Sequence, residues 1–148
     1  MPDFFNVLDF GNLENPELLV KDETPNNSDK MFVVPVGKVW DIHSIQALLD
    51  ATAIMGNRIL FITVLDATGA EVHRLQAGAA QTANQSIFYT FSAGYPRETT
   101  LSATVLTGPL PQPLSLPAGF QLHIFDGQVI DPTADDLKVY IMGQQSPS

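Results

Sequence analysis

The 148-residue sequence contains no cysteine. That excludes disulfides, thiolate metal sites and a cysteine nucleophile, and it fits synthesis in a reducing cytoplasm. Cations are scarce: seven Lys and Arg stand against sixteen Asp and Glu, for a formal net charge of −9. A phosphate backbone needs clustered Lys and Arg, so nucleic acid is not an expected partner. No apolar run approaches the ~18 residues of a membrane helix, so no membrane partner is expected. The opening Met1–Phe5 lacks the basic flank and apolar core of a secretory signal. A Gly-x-Ser-x-Gly elbow and a phosphate-cradling glycine loop are also missing. No catalytic residue, metal ligand or cofactor is therefore assigned.

What is present is punctuation of an all-β kind. Val34-Pro-Val-Gly-Lys-Val-Trp40 and Leu116-Pro-Ala-Gly-Phe-Gln-Leu122 each place a Pro-x-Gly turn before an extended apolar run. Proline presets φ near −65° and glycine supplies the reversal, so strands start at Lys38 and at Phe120. The remaining strand-like runs are Met31–Val34, Arg58–Leu65, Ala70–Gln76, Ser86–Ser92, Leu101–Leu106 and Leu137–Met142. Asp66–Gly69 reads as the hairpin turn into Ala70, and 108–114 as a stiff, proline-rich connector. About eight antiparallel strands at this spacing suit a β-sandwich of the jelly-roll type.

Residues 44–56 satisfy two patterns. A Ser44 cap, apolar residues at 45, 48, 49 and 52 and the Gly56 stop are helical signals. A strand from Lys38 would instead continue to about Leu49, with a bulge near Ser44 where the apolar pattern changes phase. The long bent strand is the expected form.

The charge is uneven. Residues 1–29 hold seven acidic groups against Lys21, about −6 of the net −9. Yet Phe4, Phe5, Val7, Leu8 and Phe10 are too apolar for a solvated tail. The expected division is an acidic N-terminal arm over 1–29, a jelly-roll domain over 30–143 and a short tail over 144–148. The five apolar arm residues are the candidates for binding a partner, with an extra edge strand of the same domain as the alternative. The 58–65 run is apolar on both faces, so Ile59, Phe61 and Leu65 are the candidates for self-association.

Polar groups offer little chemistry. His43, His73 and His123 fall on separate strands, and their spacing supports no shared site. Asp126, Asp131, Asp135 and Asp136 carry oxygen ligands that suit calcium, and they suit ordinary turns as well. A hydrolase using two carboxylates is defined by spatial separation, which sequence does not display.

The run Val34–Ile45, the run Gly56-Asn-Arg-Ile-Leu-Phe-Ile-Thr-Val-Leu-Asp-Ala-Thr-Gly-Ala-Glu-Val72, the Leu116–Leu122 turn and the closing Asp135-Asp-Leu-Lys-Val-Tyr-Ile141 together resemble jelly-roll head decoration (cement) proteins of tailed phages. The resemblance spans about residues 31–143. It implies a virion structural protein on the outer capsid surface, a homotrimer with the major capsid protein as partner, and no enzymatic activity. A carbohydrate-binding or structural sandwich module of a phage tail or baseplate is the alternative.

Overall fold

The structure is a computed structural model that describes residues 17–101 and 104–148. Its strands are β1 Glu17–Asp22, β2 Asp29–Val33, β3 Lys38–Asp50, β4 Leu60–Leu65, β5 Glu71–Gln76, β6 Ser86–Ser92, β7 Val105–Pro109, β8 Leu114–Leu116, β9 Gln121–Asp126 and β10 Asp136–Pro147. They form two sheets. The larger has the order β1-β10-β3-β6-β7, with β8 on β3, and the smaller has the order β2-β9-β4-β5. The fold is an all-β sandwich.

Alternation dictates the core. Leu60, Ile62 and Val64 on β4 point inward, as do Leu122 and Ile124 on β9, Ile87, Tyr89 and Phe91 on β6, and Leu137, Val139 and Ile141 on β10. Each large side chain taken fully out of water contributes about 1.5–3 kcal/mol. On β3 the buried set shifts phase, from Trp40 and Ile42 to Ile45, Ala47 and Leu49. The register explains it: Met142 pairs with Ser44 but Gly143 with Ile42, so His43 is the extra residue of a bulge. The helical signals in 44–56 lose because β10 and β6 offer backbone partners on both edges of β3.

The pairings nest. β1 lies against β10, β2 against β9, β3 against β6 and β4 against β5, all antiparallel, as in one long hairpin wound over the core. β7 runs parallel to β6, and β8 extends the larger sheet beside Trp40–Ile42.

Four expectations are corrected. There are ten strands among the described residues, not eight. The arm boundary at 29 fails, because Glu17–Asp22 is the edge strand β1, with Leu19 and Val20 packed against the core. The tail over 144–148 fails too, because β10 continues and pairs Pro147 with Lys38. The strand expected over 101–106 is displaced to Val105–Pro109, so the 108–114 connector is partly strand. The acidity of 17–29 hid β1: Lys30 is buried and donates to Asp22 at 3.0 Å and to the Thr24 carbonyl at 2.9 Å, which binds β1 to β2. Burial pushes the Asp22 carboxyl up, but the Thr24 amide and Lys30 outweigh it and hold it below the usual range.

Candidate interaction surface

The outward residues of the smaller sheet form a grid set by its register. Asp29, Phe125, Phe61 and Gln76 make one row across the strands. Met31, His123, Thr63 and Arg74 make the next, and Val33, Gln121, Leu65 and Glu71 the third. Its centre is aromatic. Phe61 and Phe125 stack with centroids 5.7 Å apart, and His123 lies 4.1 Å from Phe125 at 21°. The Arg74 guanidinium sits 5.0 Å over the Phe61 ring, a cation–π contact. Phe61 also lies against the Gly127 backbone, where a Cβ would meet its ring at 2.5 Å.

Charges edge this patch in pairs. His123 Nε2 is 2.5 Å from Asp29 Oδ1, and Arg74 donates to Glu71 at 2.8 Å. Glu71 and Arg74 share a face three residues apart because β5 bulges beside Leu65. Met31 and Val33 are 45% and 53% exposed, so beyond Asp29 the β2 border of the face is apolar and open. Phe61 and Leu65 point outward on this face and are half-buried, with Ile59 half-buried just before β4. The partner candidates Phe4, Phe5, Val7, Leu8 and Phe10 lie outside the described residues.

The histidines stay apart. His43 is the bulged residue of the larger sheet, and His73 and His123 flank β4 at successive residues, Val64 and Thr63. Among the described residues no three His, Cys, Asp or Glu side chains gather as a metal-binding group. The four aspartates considered for calcium hold backbone and side-chain partners instead. Asp126 accepts from the amides of Ile59, Gln128 and Ile130, Asp131 accepts from the Thr52 hydroxyl at 2.6 Å, and Asp136 accepts from the Asn26 amide.

Asp135 leads to a cluster that sequence reading missed. Arg58 and Asp135 are both fully buried, and the guanidinium donates from Nε at 2.9 Å and from Nη2 at 3.2 Å. Arg58 also donates to the carbonyls of Ile54 and Gly56, and Asp135 accepts from the Thr52 amide. Burial pushes the Asp135 carboxyl up; the hydrogen bonds from Arg58 and Thr52 outweigh it and hold it below the usual range. Beside them Gln81 accepts from the Tyr89 hydroxyl at 2.9 Å and donates to the carbonyls of Leu49 and Gln85. Burial, with the nearby Asp126 charge, raises the Tyr89 pKa. Among the described residues no buried side-chain nitrogen or oxygen lacks a partner. The cluster clamps three loops, 51–59, 77–85 and 127–135, at one end of the sandwich.

Compared with known proteins, the chain matches no family model, no curated relative and no solved structure. The surface and the fold carry the functional reading.

Proposed function

We propose that this protein is a virion structural protein, a decoration or cement protein bound to the outer surface of a phage head and made in the bacterial host cytoplasm. The observation that carries the reading is the outer face of the smaller sheet, where Phe61, Phe125, Leu65, Met31 and Val33 offer an apolar surface on a rigid sandwich. The nested pairing of β1 with β10, β2 with β9, β3 with β6 and β4 with β5 supports taking the sandwich as a jelly roll.

The role is structural and not catalytic. Packaged DNA strains a capsid, and a protein bridging neighbouring capsomers adds interface wherever they part. Many equivalent copies make modest contacts collectively strong, and selective binding to the closed shell stabilises it by mass action. In this reading Ile59, Phe61 and Leu65 join copies into a trimer, and the arm residues reach a partner.

Electron cryo-microscopy of phage particles bearing the protein tests location: outer-surface density at three-fold or quasi-three-fold positions is expected, and density at a tail tip overturns the head reading. Light scattering of the purified protein tests assembly, with a trimer expected and a stable monomer at micromolar concentration counting against it. The stacked Phe61, Phe125 and His123 rings, edged by Asp29, Gln121 and Arg74, favour a second reading as a sugar-binding tail or baseplate module. A glycan array with Phe125→Ala as control separates the two.

A further inference from the structure

A free sheet edge is a row of unpaired backbone donors and acceptors, and folded proteins blunt such edges. β5 carries a bulge and the Glu71–Arg74 pair. β1 carries a bulge between Leu18 and Val20, with charges at Glu17 and Lys21. β7 ends at Pro109, and the outward groups of its central residue are taken: Thr107 donates its amide to Glu98 Oε1 at 2.7 Å and accepts the Glu98 amide at 3.1 Å. β8 has three residues.

β2 differs from all of them. Its pairing with β9 is regular over five residues, with no bulge and no proline. The Val34 amide reaches the Phe120 carbonyl and the Ser28 carbonyl receives the Asp126 amide, so even-numbered residues face β9. The backbone groups of Met31 and Val33 therefore point away from the sheet, beside side chains that are themselves exposed. Of its two charges, Lys30 is buried and held by Asp22, and Asp29, at the first position of the strand, is paired with His123 on β9.

We propose that residues 3–10 of one copy add a strand to this edge of β2, which has no strand partner on that side among the described residues, in a neighbouring copy. The segment Asp-Phe-Phe-Asn-Val-Leu-Asp-Phe has no glycine or proline, and four of its residues, Phe4, Phe5, Val7 and Phe10, are of types enriched in strands. Six residues, 11–16, join it to Glu17. Direction selects the neighbour. Glu17 pairs with Gly143, in the half of the sandwich where β10 ends, and Ser148 there donates to Gly37 just past β2. An arm returning to its own β2 from that side runs parallel to it, whereas every pair in the smaller sheet is antiparallel. Parallel pairing is the less stable per residue, and a neighbour's arm is free to enter antiparallel. Such a contact is head-to-tail and closes into a ring when the rotation suits, three copies included. The inference goes beyond the decoration reading and needs only a second copy of the chain.

The absence of cysteine makes cross-linking clean. Full chains bearing Val7→Cys and Met31→Cys are mixed and oxidised, with Val72→Cys on β5 in place of Met31→Cys as control. Mixed dimers are expected with Met31→Cys and not with the control, and the double variant Val7→Cys/Met31→Cys should link into oligomers. A double variant that closes only within its own monomer, or cross-linking no greater than the control, overturns the proposal. In sedimentation equilibrium, Val33→Lys on the edge should weaken self-association at least about tenfold with melting unchanged. Met31→Lys is the companion variant. Association unaffected in both, or a full-length chain that is monomeric, also overturns it.

Discussion

Arg58 carries a full charge with no exposed surface, and its standing depends on one carboxylate 77 residues away in sequence. Removing one partner of a buried pair strands the other, which typically costs 3–5 kcal/mol. Asp135→Ala should therefore lower the urea-unfolding free energy by about 3–5 kcal/mol, whereas Arg58→Met with Asp135→Leu should lose far less. Equal losses from the single and the paired replacement would show that packing, not charge, sets the cost. The pair also predicts an acid limb. A carboxyl held below its ordinary value adds stability above the unfolded pKa of ~3.9 and loses it as pH falls through the lower folded value. Stability should hold down to about pH 4 and fall below it, and Asp135→Asn should remove part of that slope. Val129 is the other residue under local stress: it is β-branched, exposed, and has φ of 54°. Asparagine tolerates that region better, so Val129→Asn should raise stability by about 1 kcal/mol, read as a shift of a few degrees in Tm.

At the scale of elements, the bulge in β3 decides which residues become core. Opposite it, Gly143 approaches the Asp41 carbonyl so closely that a Cβ would lie 2.1 Å from the oxygen. Gly143→Ala should force the two strands apart and cost about 1–3 kcal/mol, with a matching drop in the denaturant midpoint. A midpoint within error of the parent chain would mean the bulge relaxes freely. The elements most legible in sequence were those with strong alternation or strong turns. β4, β5, β6 and β9 begin within two residues of their expected starts, and β3 runs to Asp50 with its bulge at His43. β1 stayed hidden because its charge matched the acidic stretch around it, and only the free side of β10 reveals where it belongs. β7 stayed hidden because Thr107-Gly-Pro reads as a break until β6 offers it a parallel partner. For the candidate surface, period-two alternation exposed the outward set Ile59, Phe61 and Leu65. Phe125, Arg74 and His123 became neighbours of that set only through the register with β9 and β5.

For the whole molecule, what sequence does not carry is which strand ends up at an edge, since that is settled by pairings far apart in the chain. The winding places β10, β3 and β6 inside the larger sheet and β9 and β4 inside the smaller one, each bonded on both sides. Local opening is least favourable where both neighbours must be broken, so hydrogen exchange should rank these strands as the most protected, with β1 and β5 exchanging through shallow fluctuations. The ranking holds whether or not copies associate. The outward amides of Met31 and Val33 are different, because nothing in the sandwich bonds them among the described residues. In a dilute monomer they should exchange nearly as fast as an open chain. At concentrations where copies associate, their exchange should slow by at least about tenfold if an added strand covers the edge, while the β5 edge stays unchanged. Protection that appears on Phe61, Phe125 and Leu65 side chains alone, for instance by reduced covalent labelling, with Met31 and Val33 amides still fast, would place the contact on the sheet face instead of its border.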